Sequence, residues 1–288
     1  MKALYSQQKK IDPELLSKKI KEFLKEDKAD QDITTDHISS NNDNQKTAHI
    51  IAEENMVFAG EQILKNIFNT EKHQIIVKDG MHCNPGDIIA TVFAKPALLL
   101  TRERVVLNLL QRLSGIASLT NQYVEKVGKK IKILDTRKTT PGLRVLEKYA
   151  VTVGGGFNHR LDLNDGSMFK DNHLILSNNF NEVVYKFKKK HPNKKLQIEV
   201  DTYEQLYQIC TSISFNIDAI LLDNMGPDKA AKCSKLIRTL QPNCFIELSG
   251  GITLKNILNY KKVDIDGISV GALTHQAQSK NIKLDIQA

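Results

Sequence analysis

From about residue 130 onward the chain repeats one alternation that few folds accommodate, a short apolar run followed by a stretch with helical spacing. KIKIL precedes PGLRVLEKYAV, SMF precedes NFNEVVYKFKKKH, LQIEV precedes TYEQLYQICTSI, AILL precedes PDKAAKCSKLIRTL and CFIEL precedes TLKNILNY; GISVGAL closes the series. Strands joined through helices lie parallel, because a helical crossover returns the chain to the end of the sheet it left. Such a sheet is either open and doubly wound or closed into a barrel. The residues that end each run bear on the choice: Asp135-Thr136-Arg137-Lys138, Lys170-Asp171-Asn172-His173, Glu199-Val200-Asp201, Asp223-Asn224, Ser249-Gly250-Gly251 and Gly271-Ala272. In both architectures ligands bind at the C-terminal ends of strands. Polar or glycine residues at every end suit one shared mouth, which favours a barrel.

The first third is patterned differently. Leu15, Leu16, Ile20, Phe23 and Leu24 recur near helical spacing, which predicts an amphipathic helix over 13–26. Strand-like pieces follow at 47–52 and 74–78, the turn-rich DGMHCNPGD leads into IIATVF, and a long helical pattern begins after Pro96. No apolar run is long enough for a membrane span, and the N-terminal residues lack the apolar stretch of a signal peptide, so the expectation is a cytoplasmic protein. The four cysteines (Cys83, Cys210, Cys233, Cys244) are scattered and never spaced C-x-x-C, which points to packing roles in a reducing compartment.

A formal charge of +8 admits a nucleic acid or a small polyanion as partner. The lysine pairs and triplets fall between apolar runs, where solvated helix faces and loops are expected. The chain also has no tryptophan for base stacking, which makes nucleic acid the weaker reading. The cations at the strand ends are different. Arg137, Lys138, Arg160 and Lys170, with His159 beside Arg160, repel one another if gathered, unless an anion compensates them. A ligand with several negative groups follows.

Glu199 and Asp223 each end an apolar run, and oxygen ligands on neighbouring strands suit Mg²⁺ held together with substrate phosphates and water. Ion pairing with the nearby lysines and arginines is the plainer alternative. Ser249-Gly250-Gly251 and Val270-Gly271-Ala272 come where the last strands end, a common position for a phosphate site built from backbone N–H groups. Ordinary turns would also use these glycines. Gly154-Gly155-Gly156 has neither the spacing nor the preceding strand of a dinucleotide fingerprint, and there is no phosphate-binding loop of the nucleotide triphosphatases.

The string from Leu134 to Leu174, LDTRKTTPGLRVLEKYAVTVGGGFNHRLDLNDGSMFKDNHL, resembles the signature of the quinolinate phosphoribosyltransferase family. DITTDHI (32–38), ERVVLNLLQRLSGIAS (103–118), IEV (198–200), ILLDNM (220–225), ELSGGI (247–252) and ISVGALTH (268–275) extend the likeness over most of the chain. The resemblance implies an α/β protein with an N-terminal open-faced α/β sandwich (1–112), an incomplete TIM-like α/β barrel (113–273) and a C-terminal tail (274–288) packing back on the first domain. It implies a pentosyltransferase that joins quinolinate to phosphoribosyl pyrophosphate, with Mg²⁺ and a homodimer whose active sites are shared. By motif, Arg104 would enter the neighbour's site, while Thr136, Arg137, Lys138, His159, Arg160 and Lys170 would line a basic pocket. Glu199 and Asp223 would face ribose and metal, and Ser249, Gly250, Gly251, Val270, Gly271 and Ala272 would take the 5′-phosphate. Of these, Lys138, Lys170, Glu199 and Asp223 are the expected catalytic set. The chain departs from the family pattern at Lys95, at Met168-Phe169 and at Asp162, whose charge two residues from Arg160 either weakens the pocket's field or pairs with an outer lysine.

Overall fold

A computed structural model describes residues 3–39, 44–170, 173, 176, 179–213 and 216–287. The chain divides into two compact units. One comprises Gln8–Asn121, Pro141–Gly155 and the residues from Gln276 on; the other comprises the chain up to Gln7, Gln122–Thr140 and Gly156–His275.

The first unit opens with α1 (Pro13–Glu26), whose N-terminus is capped by the Asp12 carboxylate on the Leu15 N–H and which buries Leu16 and Ile20. A second helix, α2 (Ile33–Ser39), does not stand out in the sequence because it is short and polar; Asp32 starts it by accepting from the Thr34 and Thr35 N–H groups. The strands are β1 (Lys46–Ala52), β2 (Met56–Val57), β3 (Lys72–Ile75), β4 (His82–Cys83) and β5 (Ile88–Ala94), with α3 (Glu61–Ile67) between β2 and β3. β1 lies between β5 and the last strand of the chain, β12 (Ile282–Ile286), in an antiparallel sheet ordered β12-β1-β5-β3. Ala48, Ile50 and Ala52 are buried while Thr47, His49 and Ile51 are half-exposed, the alternation of a sheet covered on one face. β3 stops earlier than the apolar run QIIVK predicts, because the Ile76 and Val77 N–H groups both donate to the Ile89 carbonyl and end the ladder.

The long helix α4 (Pro96–Val127) carries the ERVVLNLLQRLSGIAS run. Its Ser114 and Ser118 hydroxyls accept from the Ala59 and Val57 N–H groups, and a Cβ on Gly115 would sit 2.1 Å from the Gln278 carbonyl oxygen. That part of the motif therefore serves close packing. Arg112 forms an ion pair at 2.8 Å with the fully buried Glu147 of α5 (Arg144–Val153).

In the second unit the strands β6 (Lys132–Leu134), β7 (Ser167–Phe169), β8 (Leu196–Val200), β9 (Ala219–Asp223), β10 (Phe245–Ser249) and β11 (Gly267–Ser269) form a six-stranded parallel sheet ordered β6-β11-β10-β9-β8-β7. First and last strands are thus neighbours, as in a barrel, and the break falls between β6 and β7. The Phe157 segment runs beside β6, exchanging backbone bonds with Ile133 and Asp135. The helices α6 (Phe180–Lys190), α7 (Tyr203–Ser212) and α8 (Pro227–Leu240) follow β7, β8 and β9. Ile198, Val200, Ile220, Leu222, Ile246 and Leu248 form the fully buried alternate set that packs under the helices. The opposite set faces inward: Gln197 on β8 donates to Glu247 on β10, skipping β9, a bond that only the barrel interior allows.

TLKNILNY after β10 is not the helix its spacing predicts; only Ile257–Tyr260 forms a 3-10 turn. Ile257 and Tyr260 are the buried pair, and a separation of three matches a helix of three residues per turn. The last short helix is α9 (Ala272–His275). Among the described residues no helix is long and apolar enough to cross a membrane.

Candidate active site

The C-terminal ends of the barrel strands bring most of the expected cations and acids to one rim. At the end of β6 the Asp135 carboxylate is fully buried and accepts from the His159 N–H (2.9 Å) and the Asn158 side-chain amide (2.7 Å). It ties the Thr136–Lys138 rim to the segment that carries Arg160. The Thr136 hydroxyl accepts from the Lys138 N–H at 3.0 Å. Lys138 turns its stem across Gly271, where a Cβ would lie 3.1 Å from Lys138 Cδ, and its carbonyl accepts from the Thr274 hydroxyl at 2.7 Å. Lys138 thereby meets the Val270-Gly271-Ala272 turn although 132 residues separate Lys138 from Val270 in the chain (270 − 138).

Arg137 has a buried Nε with no hydrogen-bond partner among the described residues. A buried, unsatisfied guanidinium nitrogen costs desolvation free energy of about 1–3 kcal/mol or more. Arg160, also buried, donates to the Gly166 carbonyl (3.1 Å) and the Met168 sulfur (3.9 Å), neither of which carries charge. Burial, and next the neighbouring Arg137, push its pKa down from the ordinary arginine value. A guanidinium whose charge is disfavoured by burial and by a neighbouring guanidinium is a candidate ligand for an anion.

Opposite them Lys170, at the end of β7, forms an ion pair of 2.6 Å with Glu199 of β8. Register pairs Glu199 with Leu221 and Ser249 with Asp223, so Glu199, Asp223 and Ser249 share the inward face of adjacent strands. Burial holds the Glu199 carboxyl above its usual range; Lys170 opposes this, and Asp223 adds to it. After β9 the chain turns through Asn224, a left-handed residue (φ 51°), whose amide donates to Asp223 at 2.9 Å. Gly250 (φ +92°) and Gly251 (φ +62°) follow β10, and a Cβ on Gly250 would lie 2.1 Å from the Asn224 side-chain oxygen. The first glycine is thus required by backbone conformation and by space.

Some expected residues stand elsewhere. Arg104 is exposed on α4 in the other unit. His159 is buried, its Nδ1 accepting from the Arg160 N–H (2.8 Å) and its Nε2 facing Glu247 at 3.4 Å. The Asp162 Oδ1 accepts from the Asn164 and Asp165 N–H groups, and its charge also acts on Arg160, favouring the guanidinium's charged form. Asp171 and Asn172, expected beside Lys170, lie outside the described residues. Sequence reasoning passed over Tyr5, Gln7, Asn158, Gln197 and Glu247, which hold the Arg160 segment through bonds spanning up to 192 residues; no local spacing announces them.

The fold is an incomplete parallel α/β barrel with Lys138, Lys170, Glu199 and Asp223 at its strand ends and Arg137 beside Arg160, the class of barrel whose ligand site lies at that rim. The chain belongs to the quinolinate phosphoribosyl transferase family: residues 32–114 match its N-terminal domain and residues 116–285 its C-terminal domain. It is 40% identical over 277 residues to a probable carboxylating nicotinate-nucleotide pyrophosphorylase of Bacillus subtilis, covering 94% of this chain and 93% of that one. Identity to the carboxylating nicotinate-nucleotide pyrophosphorylase of Mycobacterium leprae is 37% over 247 residues, covering 83% and 86%. The solved structure of the nicotinate-nucleotide pyrophosphorylase from Francisella tularensis superimposes with a TM-score of 0.89 at 32% identity, covering 98% of this chain and all of that one.

Proposed function

We propose that this protein transfers the phosphoribosyl group of phosphoribosyl pyrophosphate to quinolinate, releasing pyrophosphate and CO₂ and leaving nicotinate mononucleotide for NAD synthesis. The observation that carries the reading is the pair Arg137 and Arg160: among the described residues one has a buried donor without a partner, and the other is hydrogen-bonded only to uncharged groups. Both await an anion. Quinolinate offers two adjacent carboxylates, which guanidinium forks bind in bidentate fashion, each charged hydrogen bond contributing roughly 1.5–3 kcal/mol.

In the reaction the pyridine nitrogen lone pair forms the bond to ribose C1 as the bond from C1 to pyrophosphate breaks. Lys138, lying over the Gly271 turn, is placed to neutralise phosphate charge, and Glu199 and Asp223 face the sugar where positive charge grows. The ring carboxylate next to the now quaternary nitrogen then leaves as CO₂; its electron pair stays on the ring carbon, which takes a proton. No side chain has to act as nucleophile, so positioning and electrostatics supply the catalysis. Glu199 and Asp223 share the inward face of adjacent strands and would hold Mg²⁺ together with substrate phosphates and water, Glu199 through the oxygen it does not give to Lys170. When bound it would supply charge neutralisation of the pyrophosphate.

The protein acts in this reading as a cytoplasmic homodimer, with the exposed Arg104 of one subunit completing the other's site. The four cysteines are free and buried, in keeping with a reducing compartment. Incubation with quinolinate, phosphoribosyl pyrophosphate and Mg²⁺ should yield nicotinate mononucleotide with equimolar CO₂. Nicotinate, which lacks one carboxylate, leaves a buried cation unpaired and should be turned over less well by up to about 10⁴. Comparable turnover of both acids overturns the assignment.

A further inference from the structure

The break in the barrel wall between β6 and β7 is where Arg160 sits, and the residues that close it come from the start of the chain. Gln7 grips one residue of the Arg160 segment twice: its Oε1 accepts from the Asn158 N–H (2.9 Å) and its Nε2 donates to the Asn158 carbonyl (3.0 Å). A side chain here imitates a strand neighbour, pairing with both backbone groups of Asn158, the residue after the Phe157 bridge to β6. Ser6 donates to Asp165 at 2.9 Å, and the other oxygen of Asp165 accepts from the Leu161 N–H at 2.9 Å. Tyr5 is buried, packs its ring on His159 with centroids 4.7 Å apart, and donates to Gln197 at 2.7 Å. Its ring lies so close to Gly166 that a Cβ there would come within 2.5 Å of it. Gly166 is the residue whose carbonyl orients the Arg160 guanidinium.

We infer that the Tyr5–Gln7 segment is a positioning strap for Arg160, setting affinity for the aromatic dicarboxylate without touching it. The strap grips both sides of Arg160, through Asn158 and His159 before it and Asp165 and Gly166 after it. The fork geometry of an Arg–carboxylate pair is directional, so a displaced segment loses bidentate contact even when the arginine remains present. This rests on reading Arg160 as a carboxylate ligand.

The test uses the full chain carrying Gln7→Ala, with Gln7→Glu and Tyr5→Phe as companions. Gln7→Ala removes two bonds from the segment and should raise KM for quinolinate about tenfold while KM for phosphoribosyl pyrophosphate stays unchanged. Gln7→Glu keeps the acceptor for the Asn158 N–H but sets an oxygen against the Asn158 carbonyl, and should be no better than Gln7→Ala. Tyr5→Phe keeps the ring on His159 and should have the smaller effect. Amide exchange should accelerate over residues 157–166 of the Gln7→Ala protein and not in the barrel strands. This readout needs no activity, so it separates failure of the strap from failure of the functional assignment. Unchanged exchange in that segment overturns the inference. So do equal increases in KM for both substrates, which would mean general loosening.

Discussion

Replacing Asp135 by alanine removes a fully buried carboxylate on which two other buried groups depend. The His159 N–H and the Asn158 amide, donating at 2.9 and 2.7 Å, lose this acceptor. Each orphaned donor costs about 1–3 kcal/mol, so the pair amounts to about 2–6 kcal/mol, with the upper half favoured because the acceptor is a carboxylate. Asp135→Asn keeps one acceptor oxygen but points an NH₂ at one of the donors, and should cost about half as much. The comparison separates loss of hydrogen bonds from loss of volume, which Asn preserves. Urea unfolding followed by far-ultraviolet circular dichroism reads it as a lower midpoint at unchanged slope. Activity should fall in both variants, since Asp135 joins the Thr136–Lys138 rim to Arg160. A loss below about 1 kcal/mol for Asp135→Ala, or equal losses for Ala and Asn, would refute the reasoning.

Arg104→Ala and Lys138→Ala proteins, each inactive alone, should regain activity when mixed as heterodimers, because one site of the mixed dimer then has both cations; proven heterodimers without activity argue against a shared site. Gly250→Ala places a side chain at φ +92° and 2.1 Å from Asn224 Oδ1, so strain of about 1–2 kcal/mol plus a displaced turn should raise KM for phosphoribosyl pyrophosphate more than for quinolinate, as steady-state kinetics would show. For Glu199 the pKa is raised in the fold, chiefly by burial, so the stability tied to its neutral form is fully present below the ordinary carboxylate range and lost as pH rises through the raised value. Glu199→Gln should therefore unfold at a higher temperature than the parent at neutral pH, with the gap closing under acid, while activity falls roughly 10–100-fold. The partner Lys170 is 41% exposed and rehydrates, and a variant less stable at every pH contradicts the sign.

The amino-acid order by itself determines the parallel sheet, because short apolar runs separated by helical spacing have few other ways to bury both faces, whereas closure into a barrel is decided by the strand order β6-β11-β10-β9-β8-β7. It also determines which residue types stand at the rim, since a strand's end is read directly from where its apolar run stops. Arg137, Lys138, Lys170, Glu199, Asp223 and the two glycine turns were visible in this way. Pairing was not. That Lys138 lies over Gly271, that Glu199 spends one oxygen on Lys170, and that Arg137 keeps a buried nitrogen unpartnered among the described residues depend on strand order and register, which no local spacing encodes. Tertiary structure alone decided the part played by Tyr5 and Gln7. Their bonds close 192- and 151-residue loops, and such closures follow from which wall of the barrel is left open, not from the residues beside them in the chain.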